Sequence, residues 1–182
     1  MDLKDFYDEI KANLKERFDK EGKETIVWVW KELSGVKGFY GNGIINNAVV
    51  IWITHRPSLP VEKFPDWIDK IFYTVLKEEG FENMHFTDFV KVAGKGGEDP
   101  SEEVVKISAE WMKKEIDILK VDGKKLIIVA NTRDVEAWMK EYLPEHDCEY
   151  RKFFKIVIRF NKKENREHLL RQTLKQIYEM TK

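Results

Sequence analysis

The stretch that decides the fold is Ala48-Val49-Val50-Ile51-Trp52-Ile53, followed at once by Thr54-His55-Arg56-Pro57-Ser58. Six consecutive apolar residues, rich in β-branched and aromatic side chains, read as a strand buried on both faces. That is the pattern of a parallel sheet covered by helices. The five residues that follow bring an imidazole, a guanidinium, a fixed proline and a hydroxyl. In open α/β sheets ligands bind outside the carboxyl ends of the strands. His55, whose ordinary pKa lies near neutrality, is therefore a candidate for chemistry. The alternative is a histidine that bonds a loop carbonyl, with Arg56 paired to a nearby acid.

Outward from this run the chain alternates. Residues 2–21 carry Leu3, Phe6, Tyr7, Ile10, Leu14 and Phe18 at helical spacing, which predicts an amphipathic N-terminal helix. Thr25–Trp30 reads as a short strand, and 35–43 as a glycine-rich loop. A helix is expected near 65–79 and a strand over Met84–Phe89. The next helix is expected from an Asp99 cap and Pro100 to about Lys120. Lys125–Ala130 follows as a strand, then a helix to about Tyr142 capped by Asn131 or Thr132. Phe153–Phe160 is the last expected strand and Lys163–Met180 the last helix. This order predicts one domain over 1–182: a three-layer α/β/α fold with a central, mostly parallel four-stranded sheet. Residues 1–47 precede a core at 48–180.

The 182 residues are 42% hydrophobic and 36% charged, enough for a substantial core under a charged surface. No apolar run approaches the ~20 residues of a membrane span, and the acidic start lacks a signal-peptide core. A cytoplasmic protein with no membrane partner is the expectation. The single cysteine, Cys148, precludes an intramolecular disulfide, a cysteine-ligated iron–sulfur cluster and a zinc knuckle. His55, His85, His146 and His168 are scattered, so no metal and no cofactor is expected. Net charge is −1, but residues 151–182 hold ten Lys/Arg against three acids. Such a basic end is either a phosphate footprint or a solvated helix face.

Asp88, in Phe86-Thr87-Asp88-Phe89-Val90-Lys91, is the second candidate. A carboxylate at a strand end can act as general base or read a ligand edge; it can equally form an Asx turn or an N-cap. Gly94-Lys95-Gly96-Gly97 lacks P-loop spacing, and 35–43 lacks the dinucleotide fingerprint. No G-x-S-x-G elbow is present. Phe39, Tyr40 and Phe64 lie in loops where a planar ligand could stack.

Taken together these segments resemble the uracil-DNA glycosylase superfamily over roughly residues 48–180. In that family the first core strand ends in Gly-x-x-Pro, and Thr54-His55-Arg56-Pro57 is similar. Phe64 followed by 66–79 resembles the stacking aromatic and its helix. Thr87-Asp88-Phe89-Val90-Lys91 resembles the Thr-Asn-x-x-Lys-like segment that reads the base. Asp99-Pro100-Ser101-Glu102-Glu103 and 126–138 match the next elements in order, and Ile158-Arg159-Phe160-Asn161-Lys162-Lys163 stands where the family has its last histidine. The resemblance implies a DNA-handling protein that hydrolyses the N-glycosidic bond of a damaged or deaminated base. His55 would be the base and Arg159 the positive charge beside the leaving group. Phe64, Asp88 and Arg56 would hold the nucleobase, and Ser58, Lys91, Lys95, Lys162, Lys163 and Arg166 the DNA backbone. Asp88 in place of the family's Asn favours an exocyclic amine over a carbonyl. A non-catalytic nucleic-acid-binding module and a small-molecule nucleotide enzyme are the other readings.

Overall fold

The computed structural model describes residues 5, 6, 8–10, 12–14, 49–56, 75, 78, 79, 84–92, 94, 98–120, 124–150 and 163–180. Its strands are β1 (Val50–Thr54), β2 (Met84–Asp88), β3 (Ile127–Ala130) and β4 (Cys148–Tyr150). They form one sheet in the order β2-β1-β3-β4, and every pairing is parallel. Helices α1 (Glu102–Leu119), α2 (Arg133–Tyr142) and α3 (Lys163–Glu179) complete the labelled elements. The architecture is thus α/β with an open parallel sheet. No described helix is long and apolar enough to cross a membrane.

β1 is the central strand of the early chain, and Val50, Ile51, Trp52 and Ile53 are all fully buried. Each such side chain contributes roughly 1.5–3 kcal/mol. Ile51, Ile53, Ile128 and Ala130 pack with α1 and α2 residues in one cluster. Val50, Trp52 and Val129 point the other way and are equally buried. The helical residues Phe6, Ile10 and Leu14 join the first cluster. Phe6 meets Trp111 edge-on at 5.8 Å, and Glu9 lies 3.6 Å from Lys114. On α3, Arg171 pairs with Glu78 and Glu79.

Several expected boundaries move. Thr54 is the last residue of β1 rather than the first of a turn. The cap of α1 is Ser101, whose Oγ accepts from Val104 N–H at 3.4 Å, so Asp99 and Pro100 precede the helix. Of the two candidate caps for α2, Thr132 does the work, accepting from Val135 N–H at 3.2 Å. The fourth described strand is Cys148–Tyr150, at one edge of the described sheet and too short for sequence periodicity to mark. The strand expected at Phe153–Phe160, the one at Thr25–Trp30 and the loop at 35–43 lie outside the described residues. Only 75, 78 and 79 of the helix expected near 65–79 are described, and they are helical.

A buried polar network joins β2 to α1. Glu115 is fully buried, His85 is 2% exposed and Lys91 3%. His85 Nε2 donates to Glu115 Oε1 at 2.9 Å. Thr87 Oγ1 donates to Oε2 at 3.1 Å, and Lys91 Nζ pairs with the same oxygen. Lys91 also donates to Thr87 Oγ1 at 2.7 Å and to the Asp88 carbonyl at 2.6 Å. Burial alone would raise the Glu115 carboxyl. The Lys91 charge and the bonds from His85 and Lys91 outweigh it and hold the group down to about 2. The stabilisation is therefore present above the ordinary carboxylate range and is lost as pH falls towards 2. Glu115→Gln leaves the Lys91 charge buried and unpaired, and is expected to cost about 3–5 kcal/mol. Urea unfolding at neutral pH checks this; a loss below about 1 kcal/mol, the scale of exposed pairs, would contradict it.

Candidate functional site

The carboxyl ends of the strands bring Thr54, His55, Asp88 and Asn131 to one edge. The register sets Thr54 opposite Asp88. Thr54 Oγ1 donates to Asp88 Oδ1 and lies 3.2 Å from the Thr87 carbonyl. The ladder runs on past the strands, with Phe89 N–H to the Thr54 carbonyl at 2.9 Å and Val90 N–H to the His55 carbonyl at 3.1 Å. Asp88 and His55 are thus held by backbone bonds rather than by loose loops.

Asp88 is 7% exposed. Burial pushes its carboxyl up to about 6, opposed by the Thr54 hydrogen bond and the Lys91 charge, and reinforced by Glu115. The group changes charge close to neutrality, which suits acid–base work or charge-dependent recognition.

His55 faces elsewhere. Side chains alternate along a strand, so His55 follows Ile51 and Ile53 towards the α2 side, whereas Asp88 shares the face of Thr54. The imidazole lies on Trp138 at 4.9 Å between ring centroids, tilted 39°, and Trp138 in turn lies 5.3 Å from Phe89. His55 Nε2 is 3.8 Å from Asp134 Oδ2 in the first turn of α2. The carboxylate beside this imidazole is Asp134, and the group bonded to Asp88 is Thr54. Placement at two neighbouring strand ends alone would equally allow His55 to meet Asp88.

Arg56 crosses from the end of β1 to the segment after β2. Its Nη1 donates to the Glu98 carbonyl at 3.0 Å, and its guanidinium fills the place a Cβ would take on Gly94. That close approach explains a glycine at 94 without any phosphate cradle. Lys91, expected on the DNA backbone, has its ammonium buried on Glu115 instead. On the basic C-terminal segment, Arg171 pairs with Glu78 and Glu79, and Lys175 with Glu79. Lys163 and Arg166 sit in the first turn of α3. Ser58, Phe64, Lys95, Arg159 and Lys162 lie outside the described residues. Among the described residues no three His, Cys, Asp or Glu side chains converge as a metal site.

Asp134, Asn131 and Glu115 were not singled out for a site by sequence. Glu115 carried a usable signal: it falls on the stripe of Ser108, Trp111, Met112 and Leu119, the buried side of α1. No protein-family model matches the chain, and no curated protein matches its sequence.

The raised Asp88 pKa has a cost in stability. The folded protein holds this proton more tightly than an unfolded chain, whose Asp titrates near 3.9. Stability from this group is therefore full below about pH 4 and declines as pH rises to about 6, a penalty of roughly 3 kcal/mol above that. Asp88→Asn keeps an acceptor for Thr54 and removes the titration. Its melting temperature is expected to exceed that of the parent at neutral pH, with the gap closing near pH 4. Thermal unfolding at both pH values checks this; a variant less stable than the parent at neutral pH would contradict it.

Proposed function

We propose that the protein acts on a nucleobase at the carboxyl edge of its sheet, hydrolysing the N-glycosidic bond of a nucleotide in DNA whose base carries an exocyclic amine. The observation that carries the proposal is the buried Asp88 carboxyl, aligned by Thr54 at the end of β2; His55, just past the end of β1, lies on the other face beside Asp134 of α2. The substrate class comes from the resemblance of Thr54–Pro57 and Thr87–Lys91 to the uracil-DNA glycosylase motifs. In this reading Asp134 orients His55, which takes a proton from water. The water oxygen bonds to the sugar C1′ as the C1′–N bond breaks, and the base leaves with the electron pair. Ionised Asp88 accepts from the exocyclic amine, a bond that a carbonyl edge cannot make. A flipped nucleotide costs a few kcal/mol of unstacking, which phosphate contacts must offset.

A second reading, a small-molecule nucleotide enzyme, draws support from the cations. Lys91, Arg171 and Lys175 are taken up by carboxylates, which leaves fewer for a duplex.

One panel separates these readings. Oligonucleotides carrying cytosine and adenine mismatches, uracil, hypoxanthine or xanthine are incubated with the protein and cleaved with alkali, beside free nucleosides assayed for base release. Cleavage of an amine-bearing base in DNA is expected. It should fall as pH drops below about 6, because Asp88 then gains its proton. His55→Ala should slow it by about 10²–10⁴-fold, and Asp88→Asn should shift preference towards a carbonyl-bearing base. Release from free nucleosides alone favours the second reading. DNA binding without release of any base makes the protein a non-catalytic module.

A further inference from the structure

β3 ends at Ala130, which pairs with Ile53. The Asn131 N–H bonds to the Ile53 carbonyl at 2.9 Å and closes that pair. Thr54 and Asn131 are the next residues of their chains past it. Asp88, Thr54 and Asn131 therefore form a row across β2, β1 and β3 on one face of the sheet. With strands ~4.8 Å apart the row spans roughly 10 Å.

The position of the row within the topology matters. The chain goes from β1 to β2 on one side, then returns past β1 to β3 and β4 on the other. The strand order reverses between β1 and β3. At such a reversal the neighbouring connections leave on opposite faces of the sheet, opening a crevice where α/β proteins bind ligands. Thr54 and Asn131 stand on its two sides.

Asn131 has no structural task in its side-chain oxygen. The residue is 7% exposed, and Oδ1 is buried without a hydrogen-bond partner. Capping of α2, the obvious role for an asparagine here, belongs to Thr132. A buried acceptor left unpaired costs roughly 1–3 kcal/mol. The cost is recovered when a donor arrives.

We propose that Asn131 is a ligand-binding residue whose Oδ1 accepts an N–H from a planar, amine-bearing heterocycle seated in the β1/β3 crevice, with Asp88 accepting a second N–H at the far end of the row. The Thr54 hydroxyl is spent on Asp88, so Asp88 and Asn131 Oδ1 offer acceptors. Adenine and cytosine carry an exocyclic amine with two N–H donors; uracil has none and offers only ring N–H groups, each beside a carbonyl oxygen that Asp88 and Asn131 Oδ1 repel. The inference takes its ligand class from the nucleobase reading above but does not require that any bond be cleaved.

The test is binding of free adenine, cytosine and uracil to the full chain at neutral pH, measured by NMR titration. Parallel melting curves are recorded for the parent, Asn131→Leu and Asn131→Ala. Adenine or cytosine should bind, and uracil about tenfold or more weaker. Asn131→Leu should weaken the bound base about tenfold, the value of one hydrogen bond, at an unchanged or higher melting temperature. Asn131→Ala, which adds no bulk, should weaken it as much. The proposal is overturned if neither variant changes affinity, if none of the three bases binds, or if both variants lose stability as a structural amide would. Base binding that depends on Asn131 in a protein that releases no base overturns the glycosidic reading alone. Base release that Asn131→Leu leaves untouched overturns this inference alone.

Discussion

A carboxylate without access to water has to be paired, and Glu115 meets that demand with three donors from the β2 segment: His85, Thr87 and Lys91. The rest of the sheet edge depends on this pairing. Both faces of the sheet are apolar and buried, so hydrophobic alternation alone does little to choose a register. The polar residues of β2 do choose one. His85 and Thr87 have to face α1, and Asp88, one residue on, has to face the other way. A slip of one position would aim both donors away from Glu115 and leave a buried charge without partners. The same constraint sets Asp88 opposite Thr54, whose hydroxyl then meets its carboxyl.

Topology supplies what the network does not. Because the chain returns past β1 before forming β3, three different strands contribute polar ends to one edge. α1 and α2 share the cluster on one face, joined by Phe6, Ile10 and Leu14. The outcome is a rigid base for the edge. Asp88, Thr54 and Asn131 are held by the ladder, while His55 is seated on Trp138 across the sheet.

Much of this was legible in the residues. The apolar run at 48–53 marks the central strand because burial on both faces leaves no room for alternation. Asp88 ends its strand as its position suggested, whereas Thr54, expected to open the turn, is the last residue of β1. What could not be read is which groups meet. Pairing His55 with Asp88 looked natural from two strand ends, yet face alternation sends one to α2 and the other to Thr54. Glu115 and Lys91 resemble solvated charges, since Lys-Lys-Glu and Val-Lys-Val carry no mark of burial; only the neighbouring stripe of Trp111, Met112 and Leu119 betrays the glutamate. β4 escaped because three residues, Cys-Glu-Tyr, are too short to show a period. Gly94 stands in a segment without P-loop spacing, and sequence could not show that its missing side chain makes room for Arg56.

Two residues at the edge work against the fold that holds them. Asp88 is buried at the expense of its charge, and Asn131 hides an oxygen without a donor. Folding alone would favour other side chains at both places, as it commonly does where a site needs groups that packing does not. A library of variants sorted only for resistance to heat would therefore drift away from these positions first. The places where it drifted would trace the ligand's outline before any ligand had been identified.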